Sequence, residues 1–172
     1  MRPGQVGETW RKRSLNRLRD VLIEPREFPD PELVALLVAQ QRELREAELA
    51  VGADDSPVYP THDGIRYLVG VAAGRAVACG ALQTLDAQTA EIKRMYVRPA
   101  HRGAGLARQI LGALEELATL CGHSVLRLET GTYLPAALRL YASAGYSEIP
   151  LYGEYVGNPY SVCFEKRLPV AV

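Results

Sequence analysis

The stretch Glu91–Ile–Lys–Arg–Met–Tyr–Val97, followed by Arg98–Pro–Ala–His–Arg–Gly–Ala–Gly–Leu–Ala107, gathers residue types suited to holding an anion. A strand pattern ends at Val97, a loop of small residues follows, and a helical pattern begins at Leu106. The first turn of a helix carries unpaired N–H groups and a partial positive charge. Gly103 and Gly105 let a phosphate come close to that backbone. Arg102 and Arg108 add full charges, and a guanidinium can bridge phosphate oxygens in pairs. The segment is therefore suited to a pyrophosphate. A dinucleotide fingerprint is excluded because Arg108 stands where the third glycine of Gly-x-Gly-x-x-Gly belongs, and no Gly-Lys-Ser/Thr tripeptide marks a Walker loop.

Arg102–Gly103–Ala104–Gly105–Leu106–Ala107 matches Gln/Arg-x-x-Gly-x-Gly/Ala, and a strand of the form E-I-K-R-M-Y-V-R-P precedes it. Downstream, Ala137–Leu–Arg–Leu–Tyr141–Ala–Ser–Ala–Gly145–Tyr146 reads A-x-x-L-Y-x-x-x-G-Y. In order and spacing these three segments resemble the GNAT superfamily of acetyltransferases, over roughly residues 65–167. The resemblance implies an α/β fold whose mixed, mostly antiparallel sheet splays at the cofactor site and carries helices on both faces. It also implies acetyl-CoA as donor, with no metal, and direct transfer to a primary amine in a ternary complex. By the same resemblance the amides of residues 103–108 hold the pyrophosphate. The backbone of Met95, Tyr96 and Val97 pairs with the pantetheine arm as an added strand would, beside a bulge that opens the sheet. Many family members have Asn where this chain has Leu134, so a side-chain contact to that arm is lost, or replaced by Thr130 or Tyr133.

Tyr141 matches the family's tyrosine near the sulfur of coenzyme A. A free tyrosine has a pKa of about 10 and a thiol about 8.5, so complete proton transfer to the thiolate is uphill by about 2 kcal/mol in water. Hydrogen-bond donation to the sulfur is the sounder role; the alternative is a helix tyrosine packed on the sheet. The acceptor amine must be neutral, and deprotonating a lysine-like ammonium at pH 7 costs about 4.6 kcal/mol. A carboxylate in the site eases that step. Glu91 is the first candidate, against an ordinary strand glutamate paired with a basic neighbour. Glu129, at the end of the next strand, is the second. His101 is the third, although it suits the flank of the phosphate loop better. His62 and His123 read as loop residues.

Tyr133, Tyr146, Tyr152, Tyr155 and Tyr160 crowd the C-terminal third. They suit an aromatic pocket for a small amine, with Glu148 or Glu154 attracting its charge. They suit equally well a sheet surface and homodimer contact. Nothing in the sequence separates a small amine from a protein lysine or N-terminus. A GNAT-like sensor of acyl-CoA without turnover, or a regulatory module, is the alternative function; a structural protein with a decayed cofactor site is disfavoured by Arg102, Gly103 and Gly105.

The elements that must position these residues follow from periodicity. A first strand is expected at Val21–Ile23. Asp30 is an N-cap and Pro31 a first helical residue, for a helix with Leu33, Leu36, Leu37, Gln40, Leu44 and Leu49 on its apolar stripe to about Ala50. Residues 51–64 form a loop at the acceptor side. Strands at 65–73, 76–85 and 89–97 are joined by short turns and should be antiparallel. A helix to Cys121, ended by Gly122, leads to a strand at 125–129 through a parallel crossover. A helix at 135–144 and strands at 146–149 and 161–167 complete a single domain over 20–172.

The chain of 172 residues has 20 basic and 20 acidic side chains, which gives no reason to expect nucleic-acid binding. The exception is residues 1–19, where Arg11, Lys12, Arg13, Arg17 and Arg19 suggest a basic, flexible tail or a docking segment. No run approaches the length of a membrane span, and the basic start lacks the apolar core of a signal peptide. Cys79, Cys121 and Cys163 show no metal spacing and read as small buried hydrophobes. A cytoplasmic protein is expected.

Overall fold

Asp30 opens the first helix as its position predicts. In the computed structural model, which describes residues 21–169, its Oδ1 accepts from Leu33 N at 3.0 Å. Pro31 enters the first turn of α1 (Pro31–Ala50). Leu33 and Leu36 are its buried residues, whereas Leu49 at the far end of the expected stripe is exposed. The basic segment at 1–19 lies outside the described residues.

β1 (Val21–Arg26) runs past the expected Ile23 and pairs with β2 (Arg66–Ala72) along its length. Pro25 is tolerated there because β1 is an edge strand. β3 (Arg75–Thr84) and β4 (Thr89–Val97) follow through short turns. Then come α2 (Leu106–Leu120), β5 (Val125–Gly131), α3 (Pro135–Ser143), β6 (Ser147–Ile149) and β7 (Ser161–Arg167). Tyr146 was expected to begin β6, but its ring is buried against Tyr141 instead. The strands form one sheet in the order β1-β2-β3-β4-β5-β7-β6. Only β4 and β5 are parallel, as their helical crossover requires.

α2 and α3 cover one face, where Ile110, Leu111 and Leu114 pack with Leu68, Leu82, Leu126 and Leu128. α1 covers the other, through Leu33 and Leu36 against Tyr67, Val69 and Ala81. Cys79 and Cys163 are buried; Cys121 is only half-buried, and its Sγ accepts from Arg66 Nη1 at 3.1 Å. Burial pushes the Cys79 thiol up to about 12, in keeping with an inert core residue.

Two features open the sheet. Parallel pairing of β4 with β5 runs only from Thr89↔Val125 to Ile92↔Leu128. Opposite β3, the register steps from Cys79↔Tyr96 to Ala81↔Lys93, so two steps on β3 match three on β4. This is a bulge, with Arg94 in the left-handed region at φ 56°. Gly80 sits across from it, and a Cβ there would lie 2.8 Å from Met95 Sδ and equally close to Ile110 and Leu114. The close approach of α2 and Met95 to β3 therefore requires a glycine.

Candidate active site

The splay between β4 and β5 opens into a cavity of about 840 Å³. At one end lies the loop from His101 to α2. Gly103 and Gly105 have φ of 79° and 80°, and a Cβ at either would meet nothing within 4 Å. The first main-chain bond of α2 runs from Gln109 N to Gly105 O at 3.1 Å. Among the described residues, the amides of residues 103–108 have no acceptor. Six consecutive unpaired donors at a helix start make an anion site that needs no side chain.

The two arginines flanking that loop are committed elsewhere. Arg102 makes a two-point pair with Glu43 of α1, at 2.7 and 2.9 Å, and its Nε donates to Val97 O at 2.8 Å. It also lies over the Tyr96 ring, 5.5 Å from the centroid. The guanidinium holds the Glu43 carboxyl below its usual range. Arg108 donates to Ser143 Oγ of α3. His101 lines the cavity, and its buried Nδ1 has no partner among the described residues. On β4, the Met95 carbonyl accepts from Gln40 Nε2 at 3.4 Å, while the Met95 side chain packs against the α2 core. Leu134 lines the wall with Thr130 and Tyr133.

Tyr141 and Glu129 both face the cavity. Tyr141 is 5% exposed, wedged against Tyr146 and Phe164. Among the described residues no group bonds its hydroxyl, and burial drives its ionisation well above the normal tyrosine range, so it stays protonated. Glu129 accepts from Ser161 Oγ at 3.1 Å. Burial raises its pKa to about 7; the Ser161 bond and Lys93 oppose the rise, and Glu91 and Glu48 add to it.

Glu91, the first sequence candidate for the base, does not line the cavity. It is 3% exposed, pairs with Lys93 at 3.0 Å and accepts from the Tyr152 hydroxyl. Lys93 also meets Tyr155 Oη at 3.1 Å and Glu154 at 3.6 Å. Glu91 and Lys93 are two apart on one strand and so share a face, a pattern that alternation in the sequence could have revealed. Glu148 sits exposed on β6, away from the cavity. His62 lies in the α1–β2 loop with its amide bonded to Gln83 Oε1 at 3.0 Å. His123 is buried in the α2–β5 loop, with Nε2 3.3 Å from Thr84 Oγ1. Among the described residues no His, Cys, Asp and Glu cluster could hold a metal, and no helix is long and apolar enough to cross a membrane.

At the far end Tyr133, Tyr155 and Tyr160 line the cavity together with Tyr59, which no sequence pattern singled out; Tyr146 and Tyr152 do not. Tyr133 folds over Gly131, and its hydroxyl donates to Glu48 Oε1 at 3.1 Å.

The splayed sheet thus brings a bare amide run, a buried carboxylate and a phenol to one cavity. Residues 24–146 match the model of the acetyltransferase (GNAT) family, and the chain belongs to that family of acyl-CoA-dependent acyltransferases. It is 38% identical over 106 residues to an IAA acetyltransferase of Azospirillum brasilense, spanning 60% of this chain and 69% of the relative. A solved structure from Klebsiella pneumoniae, provisionally assigned as an acyl-CoA N-acyltransferase, is 34% identical. The match covers 86% of this chain and 97% of that one at a TM-score of 0.73. A GNAT family acetyltransferase of Elizabethkingia anophelis, solved with acetyl-CoA bound, shares the fold at 17% identity, with a TM-score of 0.66 and coverage of 88% and 100%.

Proposed function

We propose that the chain is an N-acetyltransferase that passes acetyl from acetyl-CoA to a primary amine by direct attack, with both substrates in the one cavity. The observation that carries this reading is that a single cavity joins the unpaired amides of residues 103–108 to the Glu129 carboxylate and the Tyr141 hydroxyl. The amide run suits a pyrophosphate, and the β4 edge at Met95, Tyr96 and Val97, unpaired toward β5 beyond Ile92, suits an extended amide-bearing arm.

Acetyl-CoA supplies the acetyl group as a thioester. Glu129 takes the amine's proton, for which a pKa of about 7 is well placed near neutrality. Glu91 is assigned the support of that base, because its carboxylate is already held by Lys93 and Tyr152. As the new C–N bond forms and the C–S bond breaks, Tyr141 donates a hydrogen bond to the departing sulfur; burial keeps its proton in place for that role.

Acetyl-CoA should raise the melting temperature of the chain, since a ligand bound only by the folded state stabilises it. Free thiol should then appear only when an amine is added. Binding without amine-dependent thiol across a broad panel would point to a sensor without turnover.

A further inference from the structure

The α1–β2 loop and the β6–β7 loop are tied to each other at the acceptor end, where Tyr59, Tyr155, Asn158 and Tyr160 line the cavity. Asn158 Nδ2 donates to the Tyr59 hydroxyl at 2.8 Å, and the Tyr59 and Tyr155 rings meet edge-on at 4.6 Å. Tyr160 Oη reaches Gly52 O at 3.4 Å. Arg94 also holds the first loop, donating to Tyr59 O at 2.8 Å. An extended polypeptide needs an accessible edge or trough in which to lie; here Tyr59, Tyr155, Asn158 and Tyr160 line that end from two loops tied to each other.

The lining says what fits there. Four tyrosines (59, 133, 155 and 160) form its walls, and flat apolar groups pack well on aromatic faces and edges. Glu48 and Glu129 face the space; Glu48 is paired with Arg45 and bonded by Tyr133, whereas among the described residues no cation pairs with Glu129. Of the cations nearby, Lys93 is paired with Glu91 and Glu154 and bonds Tyr155, Arg45 is paired with Glu48, and Arg94 donates to the Tyr59 carbonyl. An incoming ammonium meets attraction from Glu129, whereas an amine that also carries a carboxylate brings it beside that same carboxylate. Val58 and Val156, 83% and 67% exposed, put apolar surface on the same two loops.

Resting on the acyl-transfer reading, we infer that the acceptor is a free small primary amine with a flat, apolar body and no carboxylate, not an amine on a folded protein. The tied loops disfavour a polypeptide, the tyrosine walls select the flat body, and Glu129 selects the cation.

The test uses the full chain with saturating acetyl-CoA and follows thiol release with phenethylamine, butylamine, phenylalanine and a lysine-containing peptide. Phenethylamine should exceed butylamine in kcat/KM by about tenfold, the scale of one aromatic contact, with phenylalanine and the peptide near background. Tyr59→Ala should raise the KM for phenethylamine by about tenfold while acetyl-CoA still raises the melting temperature. The inference is overturned if the peptide or phenylalanine matches phenethylamine, or if butylamine does. It is overturned equally if no amine turns over although acetyl-CoA still stabilises the chain. Loss of that stabilisation in the unaltered chain would instead break the acyl-transfer reading, and the inference with it.

Discussion

At one end of the cavity the groups proposed to bind are main-chain amides of six consecutive residues where a loop enters α2; at the other they are side chains drawn from α1, β4, β5 and two long loops. The first end is empty of side chains where a Cβ would stand at Gly103 or Gly105. The second is filled with tyrosines bonded to one another's loops. A backbone site recognises a group shared by every substrate of a family, because its donors do not depend on side-chain identity. A side-chain site can be rewritten residue by residue, and there an individual member acquires its own acceptor.

The largest expected effect lies where the two ends meet. Glu129→Gln should lower kcat by about 10²–10⁴, the usual worth of a positioned base, with the acetyl-CoA-dependent rise in melting temperature retained. As the proposed base, Glu129 would work only when deprotonated, so activity of the unaltered chain should fall as pH drops through about 7, and the residual rate of the variant should lack that limb. Stability carries the opposite sign. A carboxyl raised from 4.5 to about 7 in the folded state contributes stability below 4.5 that is lost as pH rises through 7. The variant should lose that slope in a melting-temperature profile against pH. A kcat within a factor of two of the unaltered chain would move the base elsewhere.

The acceptor end rests on a buried ion pair. Lys93→Met strands Glu91, 3% exposed, and should destabilise the fold by about 3–5 kcal/mol in urea unfolding. Adding Glu91→Gln should recover much of that loss, since the penalty comes from an unpaired buried charge. No recovery in the double variant would mean that Lys93 acts through its contacts with Tyr155 and Glu154. Tyr141→Phe should be milder. Removing a hydrogen bond to a developing anion costs about 1.5–3 kcal/mol, so kcat should fall by about tenfold to a hundredfold, with KM for acetyl-CoA little changed. A rise in KM alone would make Tyr141 a wall of the cavity rather than a donor.

The same contrast explains which parts the sequence revealed. The loop proposed to hold the pyrophosphate is contiguous, and its glycines, its strand before and its helix after are readable in one window. Helix starts such as Asp30–Pro31 and ends such as Gly122 and Gly145 are equally local. The pairing of Glu91 with Lys93 is local, but its bond from Tyr152, 61 positions away, is not, and it is with that distant contact that Glu91 is buried away from the cavity. Tyr59 went unnoticed for the same reason: its tie to Asn158 spans 99 positions, and its own loop has no periodicity. Leu49 shows the converse error. It continues the helical stripe, yet the last turn of α1 has no buried residue, so periodicity outlasts the surface it packs on.

The smallest effect expected tests how far the cofactor end depends on backbone alone. Arg102 heads the phosphate-loop motif, yet its guanidinium is held by Glu43, both side chains being 44% exposed. The Glu43 carboxyl is held low chiefly by its hydrogen bond to Arg102, so whatever the pair contributes is present at neutral pH and fades as pH falls through that lowered pKa. An exposed pair is worth about 0–1 kcal/mol, and Glu43→Gln should change stability by no more than that. It also frees Arg102, which can then turn to a bound diphosphate. Calorimetric titration with coenzyme A should show affinity rising by less than about fivefold, because the amides of residues 103–108 already supply the donors. A rise beyond a hundredfold would mean that Arg102, restrained by Glu43, is the principal phosphate ligand and that the backbone run only shapes the space around it.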